Sequence, residues 1–197
     1  MKLSRISIQL IAFLVFCACS AAAQTIPSDA KLFNKDGLSL NYPTGWQFND
    51  TSDGDAQKLN FGRTDSDAQI TVFVFRDRLT KPEQIAEAKK VLVDKYVAST
   101  TKSFQTEDPK ATSAPATSEI GGVASEGVKI RASLGGVPGM AEIEWAVVGE
   151  RLIVLTFLGP DSALRKATPA WDVVRTSLKI EAPQPKPQPA TTPKPGQ

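Results

Sequence analysis

Carboxylates are the reactive groups that this sequence brings together. Two short stretches, "NDTSDGD" at 49–55 and "TDSD" at 64–67, set acidic side chains among turn-forming residues. Such clusters can ligate calcium, and a spaced carboxylate pair can cleave a glycosidic bond. The spacing is not that of an EF-hand loop, which alternates Asp or Asn up to a glycine and closes on a bidentate glutamate. The two stretches also flank a strand expected at 58–62, which sends them to opposite ends of a sheet. Asp, Ser and Gly are the residues that strand-connecting turns require. The expectation is turn chemistry, with no metal site and no cofactor.

Other chemistry is removed by absence. The chain has no histidine, and its two cysteines, Cys17 and Cys19, lie near the N-terminus. Without histidine there is no imidazole base, no Ser-His pair and no His-ligated zinc. "GGVPG" at 135–139 lacks the Gly-Lys-Ser/Thr ending of a phosphate loop and leads into a strand, so it reads as a hairpin turn. Asn49-Asp50-Thr51 is a glycosylation sequon that matters only in a eukaryotic secretory pathway. Trp145 and Trp171 fall on expected inward faces and read as core. No catalytic residue is assigned. Tyr42-Pro43-Thr44-Gly45-Trp46 reads as a structural corner. Pro43 and Gly45 fit a type I turn over 42–45, and Trp46 plugs the bend.

Residues 1–23 read as a secretory signal. Lys2 and Arg5 precede an apolar run from Leu10 to Ala18, and Ala21-Ala22-Ala23 fits small-residue cleavage between Ala23 and Gln24. The run is shorter than the about 20 residues that span a bilayer, and no later segment reads as a membrane span. Ala18-Cys19 leaves a second reading open, a lipid anchor at Cys19. The leader holds two of the 23 basic residues and none of the 21 acidic ones, so 21 of each remain and the rest of the chain is formally neutral. That balance disfavours nucleic acid and anionic membrane surfaces as partners. Residues 181–197 hold six prolines and no bulky apolar group, and read as a disordered, polyproline-biased tail. A single domain is expected over 24–180.

The domain reads as alternating strands with two helical segments. Asp36-Gly37 suits a hairpin turn. Strands are expected at 46–48, 58–62 and 69–75. In the last, Ile70, Val72 and Val74 point one way and Phe73 and Phe75 the other, so both faces are covered. Thr80 and Glu83 suggest a capping box for a helix reaching about Thr101, with Ile85, Ala88, Leu92 and Tyr96 as its apolar stripe. Residues 104–118 read as a long polar loop. A three-strand meander follows, with a two-residue turn at Gly149-Glu150. A last helix is capped by Asp161 or Ser162 and carries Leu164, Trp171 and Val174 on one face; Pro169 kinks or restarts it, with Thr168 as the new cap. "SLKI" at 177–180 closes the domain. The fold class is α+β, a three-layer α/β/α sandwich around a mostly antiparallel sheet of six or seven strands.

The motif F-x(3)-G-x-S-x-x-Y-P-x-G-W over 33–46 resembles the opening of PsbP-like and DcrB-like domains. The strong strand and long helix, "GERLIVLTFLGP" at 149–160 and W-x(5)-S-L-K-I at 171–180 look similar too. The resemblance covers nearly all of 30–180 and implies the same α/β/α sandwich. The family includes thylakoid-lumen extrinsic proteins of photosystem II, bacterial periplasmic proteins and lipoproteins, and a Ran-binding nuclear import factor. It implies a non-enzymatic binding or accessory protein, exported to the periplasm or cell envelope, acting by contact with another envelope protein. The photosystem members hold calcium and chloride with a basic surface and an N-terminal extension. This chain departs from both traits, with a neutral balance and only 24–29 before the domain. A photosystem II subunit and a small carboxylate-dependent hydrolase or carbohydrate-active protein are the alternatives.

Overall fold

Asp36 and Gly37 both adopt positive φ, 51° and 76°, so the chain reverses in two residues. Ala30–Lys35 (β1) therefore pairs antiparallel with Leu38–Pro43 (β2), with Lys35 opposite Leu38. The computed structural model describes residues 29–181. The cleavage site at Ala23 and Gln24, Cys19 and nearly all of the proline-rich tail lie outside the described residues.

The remaining strands are Gln47–Asp50 (β3), Ala56–Arg63 (β4), Ser66–Phe75 (β5), Thr112–Ile120 (β6), Val123–Leu134 (β7), Val137–Val148 (β8), Arg151–Pro160 (β9) and Lys179–Ile180 (β10). Pro82–Ala88 (α1), a π-helical turn at Lys89–Asp94 and Lys95–Glu107 (α2) form one rod, and Asp161–Ser177 is α3. The main sheet has seven strands in the order β3-β4-β5-β9-β8-β7-β6, and every pairing is antiparallel. The hairpin β1-β2 does not join it. It forms a separate three-stranded sheet with β10, which corrects the single sheet expected from sequence. The bend at Pro43–Trp46 breaks the ladder, and Leu38, Leu40 and Tyr42 point from β2 into the core.

Two cores lie on the two faces of the main sheet. Ile70, Val72 and Val74 of β5 and Ile153, Leu155 and Phe157 of β9 pack under α3 and the small sheet. Val128, Ile130, Ile143, Leu152 and Val154 pack under Ala88, Val93 and Phe104 of the helical rod. β9 is buried on both faces, whereas β5 is buried on the α3 side and only half-buried at Phe73 and Phe75 on the other, so the cover expected on both faces of β5 is incomplete. The three-layer α+β sandwich matches the expected class.

Local expectations fail where a neighbour overrides the pattern. Residues 112–120 are not loop but the edge strand β6. Its polar sequence suits an edge, and an edge tolerates Pro115, which cannot donate to a ladder. The hairpin at 135–139 turns on Gly135-Gly136 alone, because Leu134 already faces Val137. Lys81 rather than Thr80 precedes α1, and Gln84 rather than Glu83 accepts the N–H groups of Thr80 and Lys81, each at 3.1 Å. α3 runs through Pro169 unbroken and has no side-chain cap from Asp161 or Ser162. Pro169 sits on the exposed side, and Thr168 donates back to the Leu164 carbonyl at 3.0 Å instead of starting a new helix.

Candidate functional site

β4 alternates in "KLNFG". Leu59 and Phe61 enter the core, while Lys58 and Asn60 face the helical side. A polar face cannot be dried by a packed helix, and the rod lies instead over β7. The helical face of β4 and of the adjoining β5 is left as an open trough, with Val154 and Thr156 of β9 buried at its inner edge. Register builds its floor in rows: Asn60 lies opposite Thr71, which lies opposite Thr156, and Lys58 lies opposite Phe73, which lies opposite Val154.

The wall of the trough comes from the π turn. Its wider spacing inserts one residue, so the buried stripe runs Ala88, Val93, Val97 and Phe104. Tyr96 is thereby displaced from the buried stripe expected for it and is 40% exposed. It stands at the trough with its hydroxyl 3.1 Å from Thr156 Oγ1. Lys89, where the π turn begins, bridges to Glu126 at 2.9 Å and lies 5.6 Å from the centre of the Trp145 ring. Trp145 Nε1 donates to the same glutamate at 3.2 Å. Trp145 is half-buried against the rod rather than fully enclosed.

The trough has two wells. The first encloses about 300 Å³ over Phe73 and Val154, with Leu92 and Tyr96 beside it. Several of its polar groups are paired: Thr71 donates to Asn60 Oδ1 at 3.1 Å, and Lys58 is held by Asp53 at 2.6 Å. The second is shallower and more open, about 600 Å³ over Phe75, Leu79, Ala88 and Val91, with Asp77, Glu83 and Glu87 at its rim. Leu92 lines both. Arg78 at the rim is paired with Glu150 at 2.7 Å, whereas Asp77, Glu83 and Glu87 have no ion-pair partner among the described residues.

The acidic stretches at 49–55 and 64–67 do not converge. They sit at opposite ends of β4, and their carboxylates serve local turns. Lys58 above all holds the Asp53 carboxyl below the usual range, helped by the N–H groups of Ala56 and Asp55, which Oδ1 accepts at 2.9 Å each. Asp65 is bound in a fork by Arg63. At the corner, Tyr42 and Trp46 are buried. The turn lies one residue later than expected: Trp46 N–H donates to the Pro43 carbonyl at 3.2 Å, and Gly45 takes φ of 88°. A positive angle at the third position makes this a type II rather than a type I turn.

Two carboxylates that sequence reasoning did not single out are buried. Glu142 and Glu144 point from β8 toward the α3 side, with Met140 and Ala146 before and after them. Glu142 pairs with Lys129 at 3.0 Å. Glu144 is 1% exposed, and burial pushes its carboxyl up to about 7 while Arg175, 3.9 Å away, pulls it down and Glu142 pushes it further up. Neither lines a well of the trough. A glutamate at alternate strand positions reads as solvent-facing unless the cover of that face is known.

Chains of this fold are known. A structure from Bacteroides thetaiotaomicron aligns over 78% of this chain at 16% identity and a TM-score of 0.50, and this chain spans 49% of that protein, about half its length. A cyanobacterial PsbP (CyanoP) from Synechocystis sp. PCC 6803 aligns over 83% of this chain and 99% of its own, at 12% identity and a TM-score of 0.49. LpqN of Mycobacterium tuberculosis, involved in cell envelope biogenesis, aligns over 77% and 90%, at 12% identity and 0.48. A PsbP thus stands among the similar structures, and the likeness is one of fold, which carries no ligand or partner across. No protein-family model matches the chain, and no curated protein matches it.

Proposed function

We propose that this chain is an exported, non-enzymatic binding protein of the periplasm or cell envelope that contacts a partner protein through the trough beside the π turn. The make-up of the trough carries the reading: apolar floor and walls in both wells, hydroxyl and amide groups bonded to one another in the first, and exposed charges confined to the rim of the second. Such a surface offers area and a few orienting polar groups, which is what recognition uses. Its cations Lys58 and Arg78 are paired with Asp53 and Glu150. The buried carboxylates Glu142 and Glu144 lie away from it, and the carboxylates at its rim, Asp77, Glu83 and Glu87, are exposed. The leader read from the sequence supports export.

A photo-crosslinking residue tests this in the native host. Placed at the exposed Val91, it is expected to yield a discrete adduct with one envelope protein. Placed at the exposed Leu32, in the small sheet, it is expected to yield none. Equal labelling at both positions, or none at Val91, would remove the trough from the reading.

A further inference from the structure

The two wells are spaced for an extended chain. Their floors are Phe73 and Phe75, two residues apart on one face of β5. Alternate residues of a strand lie about 7 Å apart. An extended peptide running along β5 therefore drops side chains i and i+2 into successive wells, on either side of Leu92. A compact ligand fills one well and leaves the other wet.

Charge completes the description. Glu83, Glu87 and Val91 succeed one another at four-residue steps along the rod, so the two carboxylates edge the second well beside its exposed valine. Like charges one helical turn apart repel. Asp77 adds a third anion at the same rim, and no cation among the described residues bridges any of the three. A cationic side chain from outside relieves that repulsion, and an anionic lipid surface adds to it.

We infer that the trough takes an extended segment of a partner protein bearing two apolar side chains at i and i+2 next to lysine or arginine. The inference rests on the trough being the contact surface proposed above.

The probe is a fluorescein-labelled Lys-Lys-Leu-Ser-Leu-Lys-Lys peptide, which reads alike in both directions, followed by fluorescence anisotropy with the full chain. It is expected to bind at least tenfold tighter than the same peptide with glutamate for lysine, and at least tenfold tighter than the one with serine for leucine. Raising salt from low to moderate ionic strength is expected to weaken it, because the rim charges are exposed. The exposed double variant Glu83→Lys/Glu87→Lys, with a wild-type melting curve, is expected to lose the basic peptide tenfold or more and to gain the acidic one. Equal binding of acidic and basic peptides, no binding of either, or indifference to the double variant overturns the inference. If Val91 still crosslinks a partner when the peptides fail, only the partner's chemistry is wrong. If Val91 crosslinks nothing, the contact surface itself is wrong.

Discussion

The Tyr96 hydroxyl and Thr156 Oγ1 lie 3.1 Å apart, joining α2 to the central strand β9 across the first well. Their encounter depends on the π turn, which displaces Tyr96 from the buried stripe, and on the β5–β9 register, which places Thr156 opposite Thr71. Tyr96→Phe takes this partner from the buried Thr156 hydroxyl, which costs about 1–3 kcal/mol. The urea midpoint should fall by that amount, since the ring stays. A larger loss would make Tyr96 a core residue instead of a wall of the trough.

Trp46 is 6% exposed and fills the corner, so Trp46→Ala should destabilise the fold by about 3–5 kcal/mol. Gly45 has φ of 88°, a conformation that side chains rarely adopt, so Gly45→Val should cost about 1–3 kcal/mol although a β-carbon there would meet open space. Denaturant midpoints of both variants beside wild type test this. A wild-type midpoint for Trp46→Ala would end the structural account of the corner.

Glu144 binds its proton more tightly in the folded chain than in the unfolded one, because burial raises its carboxyl to about 7. Between about pH 5 and pH 7 the unfolded chain has released a proton that the folded chain still holds, so this group lowers stability as pH rises through that window. The full effect is at most about 3 kcal/mol. Glu144→Gln should flatten that slope and melt higher than wild type at pH 8, with Arg175 still held by Asp172 at 3.0 Å. Melting curves from pH 5 to pH 8 read it directly, and an unchanged slope in the variant would assign the dependence elsewhere.

The acidic turns predict indifference to calcium. Asp50 accepts from Lys35 and Ser52, Asp53 from Lys58, Asp55 and Ala56, and Asp65 from Arg63. A bound ion would raise stability by RT ln(1 + [L]/Kd). Melting with millimolar calcium and with a chelator should coincide, and a rise of several degrees with calcium would overturn the turn reading.

What the sequence determined alone is what short-range chemistry dictates. Asp36-Gly37 accepts positive φ at both turn positions, so the β1-β2 hairpin was legible. Residues 69–75 alternate between two apolar sets, so a strand was legible, as was the α3 face with Leu164, Trp171 and Val174; the Phe73 and Phe75 face is only half-covered because the helical rod lies over β7. The tertiary structure decided what depends on distant neighbours. Tyr96 left its expected stripe because the π turn shifts the phase, and the 3.6 period carries no trace of that insertion. Residues 112–120 became a strand only because β7 supplied a partner. Glu142 and Glu144 became buried because their side of β8 turns toward the α3 layer. The trough is assembled from β4, β5, β9 and the helical rod. Periodicity tells a residue which of its own faces is apolar, but strand order and register decide what that face meets, and those are set by contacts between segments far apart in the chain.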